Sequence, residues 1–406
     1  MTSTDADQMR GAPIDSTTLT RSYFDHAATT PLRPEALEAM LPFLTDNFAN
    51  PSGAHAESRR ARIALDDARD QIAELLGVGP GDVVLTSGGT EADDLAIHGG
   101  WAARVADGSG RGVPAALVCA AMEHHAVLEA CRALAAVSGA ELRVVPSDRS
   151  GQIDLDALAE VSDPSVGLVS VMAVNNEIGT IQPLDAVARV VAEHAPGAVV
   201  HTDAVQAAPW LDLPAATGAA DLVTISAHKF GGPKGSGALA LRRQALVRAR
   251  IDGGGQERGR RSGTPNVAGA VGMAAALAAT VLERHATVAR VTALRNRLGD
   301  GLLATVSDIV ETGDRDDRVA GILHLRIGGV EAEALVVLLD QAGVATSAGA
   351  ACSSGAVEPS HVLGAMGLDP LESSTGIRFS LGVTTTDHDV DRALRQVPIV
   401  VDRLRH

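Results

Sequence analysis

The sequence predicts an α/β protein: a main domain built on a mostly parallel β-sheet with helices on both faces, and a second, smaller α+β domain. Short apolar runs alternate with amphipathic segments through the middle of the chain, which is the order of a parallel sheet with crossover helices. These runs are almost continuously apolar, as expected for strands buried on both faces. From about residue 309 that alternation is lost, which indicates a second domain.

The predicted strands of the main domain are short and consist largely of Val, Leu, Ile and Ala. In chain order they are 83–86, 115–119, 167–174, 198–202 and 222–226. A further strand, 239–242, follows a Gly/Pro-rich turn and is predicted to run antiparallel. The amphipathic segments between them predict helices at 91–99, 126–136 and 184–194.

A long Ala-rich segment, 267–303, predicts a helix that connects the domains, with a break expected near His285. The second domain is expected to contain strand 322–327, helix 333–341, a loop of small residues, and the segment IRFSLG as a strand. We place the large domain at 22–280 and the small domain at 281–406. Residues 1–21 are polar and are predicted to be a disordered tail.

The composition argues against some classes of protein. The formal net charge of −16 over 406 residues disfavours nucleic acid or an anionic membrane as the main partner, because both select clustered positive charge. No apolar stretch looks long and uninterrupted enough to span a bilayer, and the first residues contain no apolar signal core. The three cysteines include no CxxC pair, which disfavours a zinc site or a disulfide scaffold and favours a reducing cytoplasm.

The chain contains only two lysines, Lys229 and Lys234. Arginine carries positive charge everywhere else, so a remaining lysine is a candidate for chemistry that arginine cannot perform, such as forming an imine. Coding bias is the alternative explanation. Lys229 follows a predicted buried strand in TISAHKFGGPKG, next to Ser226 and His228, where partial desolvation can lower the pKa of an amine. A surface lysine in a loop is the alternative for this segment.

The segment TSGGTEADDLAI at 86–97 predicts a strand, a Gly-Gly turn and a helix that opens at Thr90. Backbone N–H groups at such a helix start suit a phosphate, and Gly88 and Gly89 allow close approach of the backbone. The alternative is a tight turn in which Thr90 only caps the helix.

Two further polar segments follow predicted strands. Asp203, in HTDAVQ, stands where open α/β sheets bind ligands, and its carboxylate could keep a pyridine nitrogen protonated; an N-cap is the alternative. His124, in MEHHAVL, could stack on a planar ring or transfer protons, although adjacent histidines are often structural. His124, His201 and Asp203 could instead form a divalent-cation site.

The second domain supplies a thiol and a guanidinium. Cys352 lies among small residues in TSAGAACSSGAVEPSHVL, where little can bury it, so it is the candidate reactive cysteine. Cys119 and Cys131 lie in a strand and a helix and are predicted to be buried. Arg378, flanked by apolar residues in IRFSLG, needs an anion, which could be a substrate carboxylate or a structural carboxylate.

Taken together, the motifs resemble a known family. The chain is similar to the class V aminotransferases, a branch of the pyridoxal 5'-phosphate (PLP) enzymes, and within them to the group I cysteine desulfurases of iron–sulfur assembly and tRNA thiolation. The similarity runs from about Tyr23 to about Leu381. It rests on YFDHAATTP, NPSGAH, TSGGTE, MEHHAVL, VNNEIGT, HTDAVQ, SAHKFGGPKG, GGGQERGRRSGT, the Cys352 loop with EPSHVL, and RFSLG.

The resemblance implies PLP-dependent fold type I, with a mostly parallel seven-stranded sheet in the large domain and the Cys352 loop in the small one. It implies that Lys229 forms the Schiff base, that His124 stacks on the cofactor ring and takes part in proton transfer, and that Cys352 becomes a persulfide. The implied cofactor contacts are Gly89, Thr90, His124, Asn176, Asp203, Gln206, Ser226, His228, Lys229 and Thr264.

The resemblance also implies that Arg378, together with Asn176, binds the substrate. Thr264 resembles a residue that reaches the phosphate of the neighbouring subunit, which implies a homodimer with shared active sites and a role near phosphate for the arginines of 258–261. The implied reaction converts L-cysteine to alanine and leaves sulfur on Cys352 for an acceptor protein. No metal, nucleic acid or membrane is expected to take part.

Small departures from the family pattern, such as Asp94 in place of a common Asn, leave the reactive groups in place. Three alternatives stay open at this point. The first is a selenocysteine lyase or another PLP-dependent C–S lyase. The second is a metal-dependent hydrolase, and the third is a binding protein of the same fold without catalysis.

Overall fold

The computed structural model describes residues 21–107, 112–349 and 359–406. The predicted tail, apart from Arg21, and the candidate nucleophile Cys352 lie outside the described residues. The predicted domain boundary at 280 lies inside the long helix Val267–Thr305.

A seven-stranded sheet forms the centre of the molecule, with the strand order β2-β8-β7-β6-β5-β3-β4. Only β8 runs antiparallel to its neighbours, as predicted for segment 239–242. Four of the strands are buried along their whole length, as the continuous apolar runs predicted. The strands are β2 (Val83–Thr86), β3 (Ala116–Ala120), β4 (Glu141–Val145), β5 (Val166–Ser170), β6 (Val199–Asp203), β7 (Leu222–Ser226) and β8 (Gly237–Leu241).

Two small sheets form a second layer. Strands β12 (Gly376–Ser380), β10 (Ile322–Ile327) and β9 (Ile309–Glu311) make an antiparallel sheet. Strand β1 (Ser22–Tyr23) pairs in parallel with β11 (Val344–Ala345). The start of the described chain thus packs on the C-terminal region. This long-range pairing could not be predicted from a local sequence pattern.

The helices cover the sheets. In chain order they are α1 (Pro34–Leu44), α2 (Ala56–Leu76), α3 (Gly89–Asp94), α4 (Gly100–Val105), α5 (His125–Ser138), α6 (Leu155–Val161), α7 (Leu184–His194), α8 (Leu213–Ala216), α9 (Gln256–Gly259), α10 (Val267–Thr305), α11 (Ala332–Gln341), α12 (His361–Ala365), α13 (Pro370–Ser373) and α14 (Asp387–Arg405). Helices α3 and α4 are joined through a π-helical turn, Leu95–Gly99.

The expected break of the long helix near His285 is wrong, because α10 runs without interruption from Val267 to Thr305. The change from apolar to charged residues suggested a break, but no Gly or Pro occurs between 273 and 298, and a change of polarity does not end a helix. By length and composition α10 could cross a membrane, contrary to the sequence expectation. Half of the most apolar 18-residue stretch of α10 is buried inside the fold, as in a core helix.

The sheet places several loops on one edge. Strands β3, β5, β6 and β7 are parallel neighbours, so their carboxyl ends meet there, and open α/β sheets bind ligands at that edge. The segments predicted to carry chemistry leave the sheet at these four strand ends and at the end of β2.

Candidate active site

A cavity of about 290 Å³ lies at this edge of the sheet. Ten of the twelve residues predicted from the sequence line it, although they come from distant parts of the chain. They are Gly89, Thr90, His124, Asn176, Asp203, Gln206, Ser226, His228, Lys229 and Arg378. The roles of these residues stay predictions, but their common location is a property of the fold.

Lys229 reaches the cavity from the short 3-10 turn that follows β7. Its Nζ donates hydrogen bonds to two backbone carbonyls, those of Ala27 at 2.5 Å and Ala28 at 2.9 Å. Gln206 donates to the same Ala27 carbonyl at 2.8 Å. The segment YFDHAATTP therefore holds the amine through two backbone carbonyls.

Asp203 is the last residue of β6 and lines the cavity. Its Oδ1 accepts a hydrogen bond from the Val205 backbone at 2.8 Å, and because turns and not a helix follow it, it is not a helix N-cap. Burial raises its pKa to about 7, and the nearby Asp93 carboxyl adds to the rise. A nearby cation stabilises the ionised form of such a carboxyl, and a protonated ring nitrogen is a cation of this kind.

The other end of the cavity has small residues and hydroxyl groups. Gly88, at φ 155°, precedes α3, and a Cβ on Gly89 would lie 3.0 Å from Val205 Cγ2 and 3.4 Å from the Cβ of Ser226. Thr90 is the second residue of α3 and Gly88 is the N-cap, which corrects the prediction that Thr90 opens the helix. With no side chain at either glycine, a phosphate can approach the backbone at this helix start closely.

His124 and His228 face the cavity as neutral imidazoles. Burial lowers the pKa of His124 to about 4, with Lys229 adding to the shift. Burial likewise lowers the pKa of His228 to about 4, again with a contribution from Lys229. His124 Nδ1 caps α5 by accepting from the Ala126 backbone at 3.1 Å, which fixes the orientation of its ring.

Arg378 enters the cavity from β12 and makes the structural ion pair that was one of the two alternatives left open by the sequence. It donates to the backbone carbonyl of Asn176 at 2.9 Å and forms an ion pair with Asp25 at 2.8 Å. Its buried Nε has no hydrogen-bond partner among the described residues. Asp25 lies 353 residues away, and sequence reasoning missed it although its motif YFDHAATTP was recognised.

Thr264 lies elsewhere. It lines a separate cavity of about 240 Å³ with Ser87, Ser236 and Arg261. The arginines near it bind within the chain: Arg261 pairs with Glu91 at 2.6 Å, and Arg260 donates to the Gly81 carbonyl at 2.8 Å. These arginines therefore do not line the lysine cavity of their own chain, and the predicted role of Thr264 requires a second subunit.

The alternative metal site is not formed. His201 does not line the cavity; its ring is fully buried and lies 2.9 Å from Ser170 Oγ and 3.1 Å from Thr224 Oγ1. Within the parts of the chain that the structure describes, no group of three His, Cys, Asp or Glu side chains is arranged to hold a metal ion.

The donor set fits PLP. The cavity presents an amine for its aldehyde, a buried carboxyl for its ring nitrogen, and a glycine turn with hydroxyl groups for its phosphate. Arg378 brings a guanidinium to the cavity wall, which suits the carboxylate of an amino acid. The volume of the cavity, about 290 Å³, is close to the lower end of the range for small-molecule sites.

Comparison with known proteins decides the family. The class-V aminotransferase model matches residues 22–393. The chain belongs to the class-V aminotransferase family. Within this family it is 42% identical over 388 residues to an IscS-like cysteine desulfurase of Mycobacterium tuberculosis, covering 95% of this chain and 97% of that one. It is 43% identical to a cysteine desulfurase of Cereibacter sphaeroides, with the same coverage.

Solved structures agree with the family assignment. A NifS-like protein superposes with a TM-score of 0.86 at 32% identity, covering 94% of this chain and all of that one. The chain is thus a class-V aminotransferase of the cysteine desulfurase group, which confirms the fold class and the family predicted from the motifs.

Proposed function

We propose that this class-V aminotransferase is a PLP-dependent cysteine desulfurase, which takes sulfur from L-cysteine, releases L-alanine and carries the sulfur as a persulfide on Cys352. The observation that carries the proposal is the meeting of Lys229, Asp203 and Arg378 in one cavity, in a chain that is similar to cysteine desulfurases over nearly its whole length.

Each residue of the cavity has its own proposed role in binding or catalysis. Lys229 would hold the cofactor covalently, Asp203 would keep a proton on its ring nitrogen, and Gly89, Thr90 and Ser226 would bind its phosphate. PLP, when bound, supplies an electron sink for the bonds of the substrate's α-carbon. Arg378 binds the substrate carboxylate with a charge-assisted hydrogen bond, and neutral His124 can accept or return a proton.

Sulfur transfer requires a thiolate. The Cys352 thiolate attacks the substrate sulfur, so that an S–S bond forms while the bond between that sulfur and the substrate β-carbon breaks. The electron pair left on the three-carbon fragment takes up a proton, which completes alanine. Protons and electrons balance without an external oxidant, and the persulfide awaits a thiol or a cluster scaffold as acceptor.

We also propose a homodimer, which two features support. Leu37, Leu41 and Leu44 share one face of α1, with Phe48 just beyond it, and these four side chains are 50–79% exposed. An apolar face of this kind marks an interface. Thr264 can reach a phosphate site only if a second subunit supplies it. We also place the enzyme in a reducing cytoplasm, since Cys119 and Cys131 are buried free thiols.

Replacement of Cys352 tests the proposal. Cys352→Ser removes the nucleophile, because a hydroxyl near its normal pKa does not attack sulfur at neutral pH. The variant should bind PLP and respond spectrally to L-cysteine as the parent does, but release little or no alanine. Cys131→Ala, which alters a buried thiol, should keep alanine release.

Mass spectrometry of the parent after incubation with L-cysteine should find one added sulfur on Cys352. Alanine release at the parent rate by Cys352→Ser, or sulfur on Cys119 or Cys131, would contradict the proposal. Turnover of selenocysteine alone, with no turnover of cysteine, would replace it with a selenocysteine lyase.

A further inference from the structure

A second buried carboxyl group, absent from the set of site residues predicted from the sequence, lines the same cavity as Asp203. Asp93 lies on α3 and is 1% exposed. Its Oδ1 has no hydrogen-bond partner among the residues that the structure describes. Burying such an oxygen costs free energy unless a proton or a ligand compensates it, so Asp93 needs a physical explanation.

Behind Asp93, four buried polar side chains form a continuous chain of contacts. The Thr224 hydroxyl hydrogen-bonds the Asp93 carboxyl. His201 Nε2 lies 3.1 Å from Thr224 Oγ1 and 3.5 Å from Asp93 Oδ1. On the other side of the ring, His201 Nδ1 lies 2.9 Å from Ser170 Oγ, which in turn is 3.4 Å from Glu123 Oε1.

The chain has one favourable direction at the end next to Asp93. Burial lowers the pKa of His201 to about 4, so its ring carries one proton, and Nε2, which faces a hydroxyl and a carboxyl, is the better place for it. At the other end, the Ser170 hydroxyl lies between His201 Nδ1 and Glu123 Oε1. Burial raises the pKa of Glu123, with Asp203 next among the causes.

The His201 ring thus donates toward Thr224, and the chain ends on Asp93, which accepts from the Thr224 hydroxyl. Burial raises the pKa of Asp93 to about 7, while the Thr224 hydrogen bond opposes the rise. A donor that stabilises the ionised carboxyl lowers its proton affinity. The charge of Lys229 acts on Asp203, and a protonated ring nitrogen would be a second cation in the cavity.

We propose that Asp93 is a second carboxyl for the ring nitrogen of the cofactor. It is a positioning residue that acts beside Asp203, and the hydrogen-bond chain that ends at Thr224 favours its ionised form. This inference rests on the proposed function. Two negative charges at this end hold a proton on the ring nitrogen to higher pH than Asp203 alone. Asp93 thereby strengthens the electron sink without contacting the substrate.

The test uses the holoenzyme loaded with PLP labelled with nitrogen-15 in the ring, and follows the nitrogen chemical shift against pH. Asp93→Asn should lower the midpoint of ring-nitrogen deprotonation by roughly one to three pH units, as expected for the loss of one nearby charge. Other titrating groups near the site are Asp203, Glu123, His124, His201, His228 and Lys229, and they are the same in the variant and the parent.

Asp94→Asn is the matched control. Asp94 is the next residue on α3, but its carboxylate pairs with Arg250 at 2.8 Å and does not line the cavity. This variant should titrate as the parent does. Thr224→Val, which removes the last donor of the chain, should shift the midpoint in the same direction as Asp93→Asn but less, and it guards against misfolding of a single variant.

The outcomes separate the inference from the proposed function. If Asp203→Asn loses the ring proton while Asp93→Asn and Thr224→Val titrate like the parent, the inference is wrong and the desulfurase proposal stands. If the parent takes up no cofactor, so that no ring-nitrogen signal appears, the proposed function fails and the inference fails with it.

Discussion

The two lysines of the chain illustrate how position decides the chemistry of a residue. Lys229 lines the cavity and donates to the carbonyls of Ala27 and Ala28. Lys234, five residues later, is exposed and does not line this cavity. The amine that follows a buried strand is thus the one held at the sheet edge.

This difference gives a prediction. Lys229→Ala should abolish both the visible absorbance of the bound cofactor and all alanine release, because no other cavity side chain can form the covalent link. Lys234→Ala, the matched control, should keep the absorbance and the turnover of the parent. Both are measured by absorption spectroscopy and an alanine assay, and an unchanged spectrum for Lys229→Ala would refute the cofactor assignment.

At the scale of elements, β10 and β12 bring a histidine and an arginine side by side in the three-stranded antiparallel sheet. His324 pairs in register with Arg378, its ring is fully buried, and neither ring nitrogen has a hydrogen-bond partner among the described residues. Burial lowers its pKa to about 3, and the charge of Arg378 adds to the shift.

The sign of the resulting pH dependence follows from linkage. In the unfolded chain the pKa of His324 is near 6.5, whereas in the folded chain it is about 3. The stability present above pH 6.5 is therefore lost as the pH falls through this window. At pH 4.5 the loss from this one group is about 3 kcal/mol.

His324→Asn should remove that contribution, so urea unfolding of the variant should change less between pH 7 and pH 4.5 than that of the parent. Leu323→Val, on the same strand, should cost about 1 kcal/mol equally at both pH values. If His324→Asn showed the full pH dependence of the parent, the buried neutral histidine would not be its source.

At the scale of the whole molecule, the apolar face of α1 predicts an assembly. Leu41→Glu places a charge in the proposed interface, so sedimentation should find monomers in place of dimers, and turnover should fall with the loss of the partner's Thr264. Leu371→Glu changes a leucine that is 77% exposed on α13, and it should remain dimeric. A dimeric Leu41→Glu variant would move the interface elsewhere.

The sequence by itself determined the strands of the main sheet apart from β4, and the loops that follow them. Lys229, Asp203 and His124 each stand within four residues of the carboxyl end of a buried strand, and both the apolar run and the polar residue after it are local signals. Parallel strands place these ends on one edge, so the sequence pattern could predict a common site.

Only the tertiary structure decided which distant residues share that site. Asp25 meets Arg378 because β1 and the residues after it pack on the C-terminal sheet, and Asp93 joins Asp203 because α3 packs against β7. Both carboxylates stand in motifs that local reasoning explained in other ways. Pairing across hundreds of residues depends on packing free energy summed over the whole core, which no short segment contains.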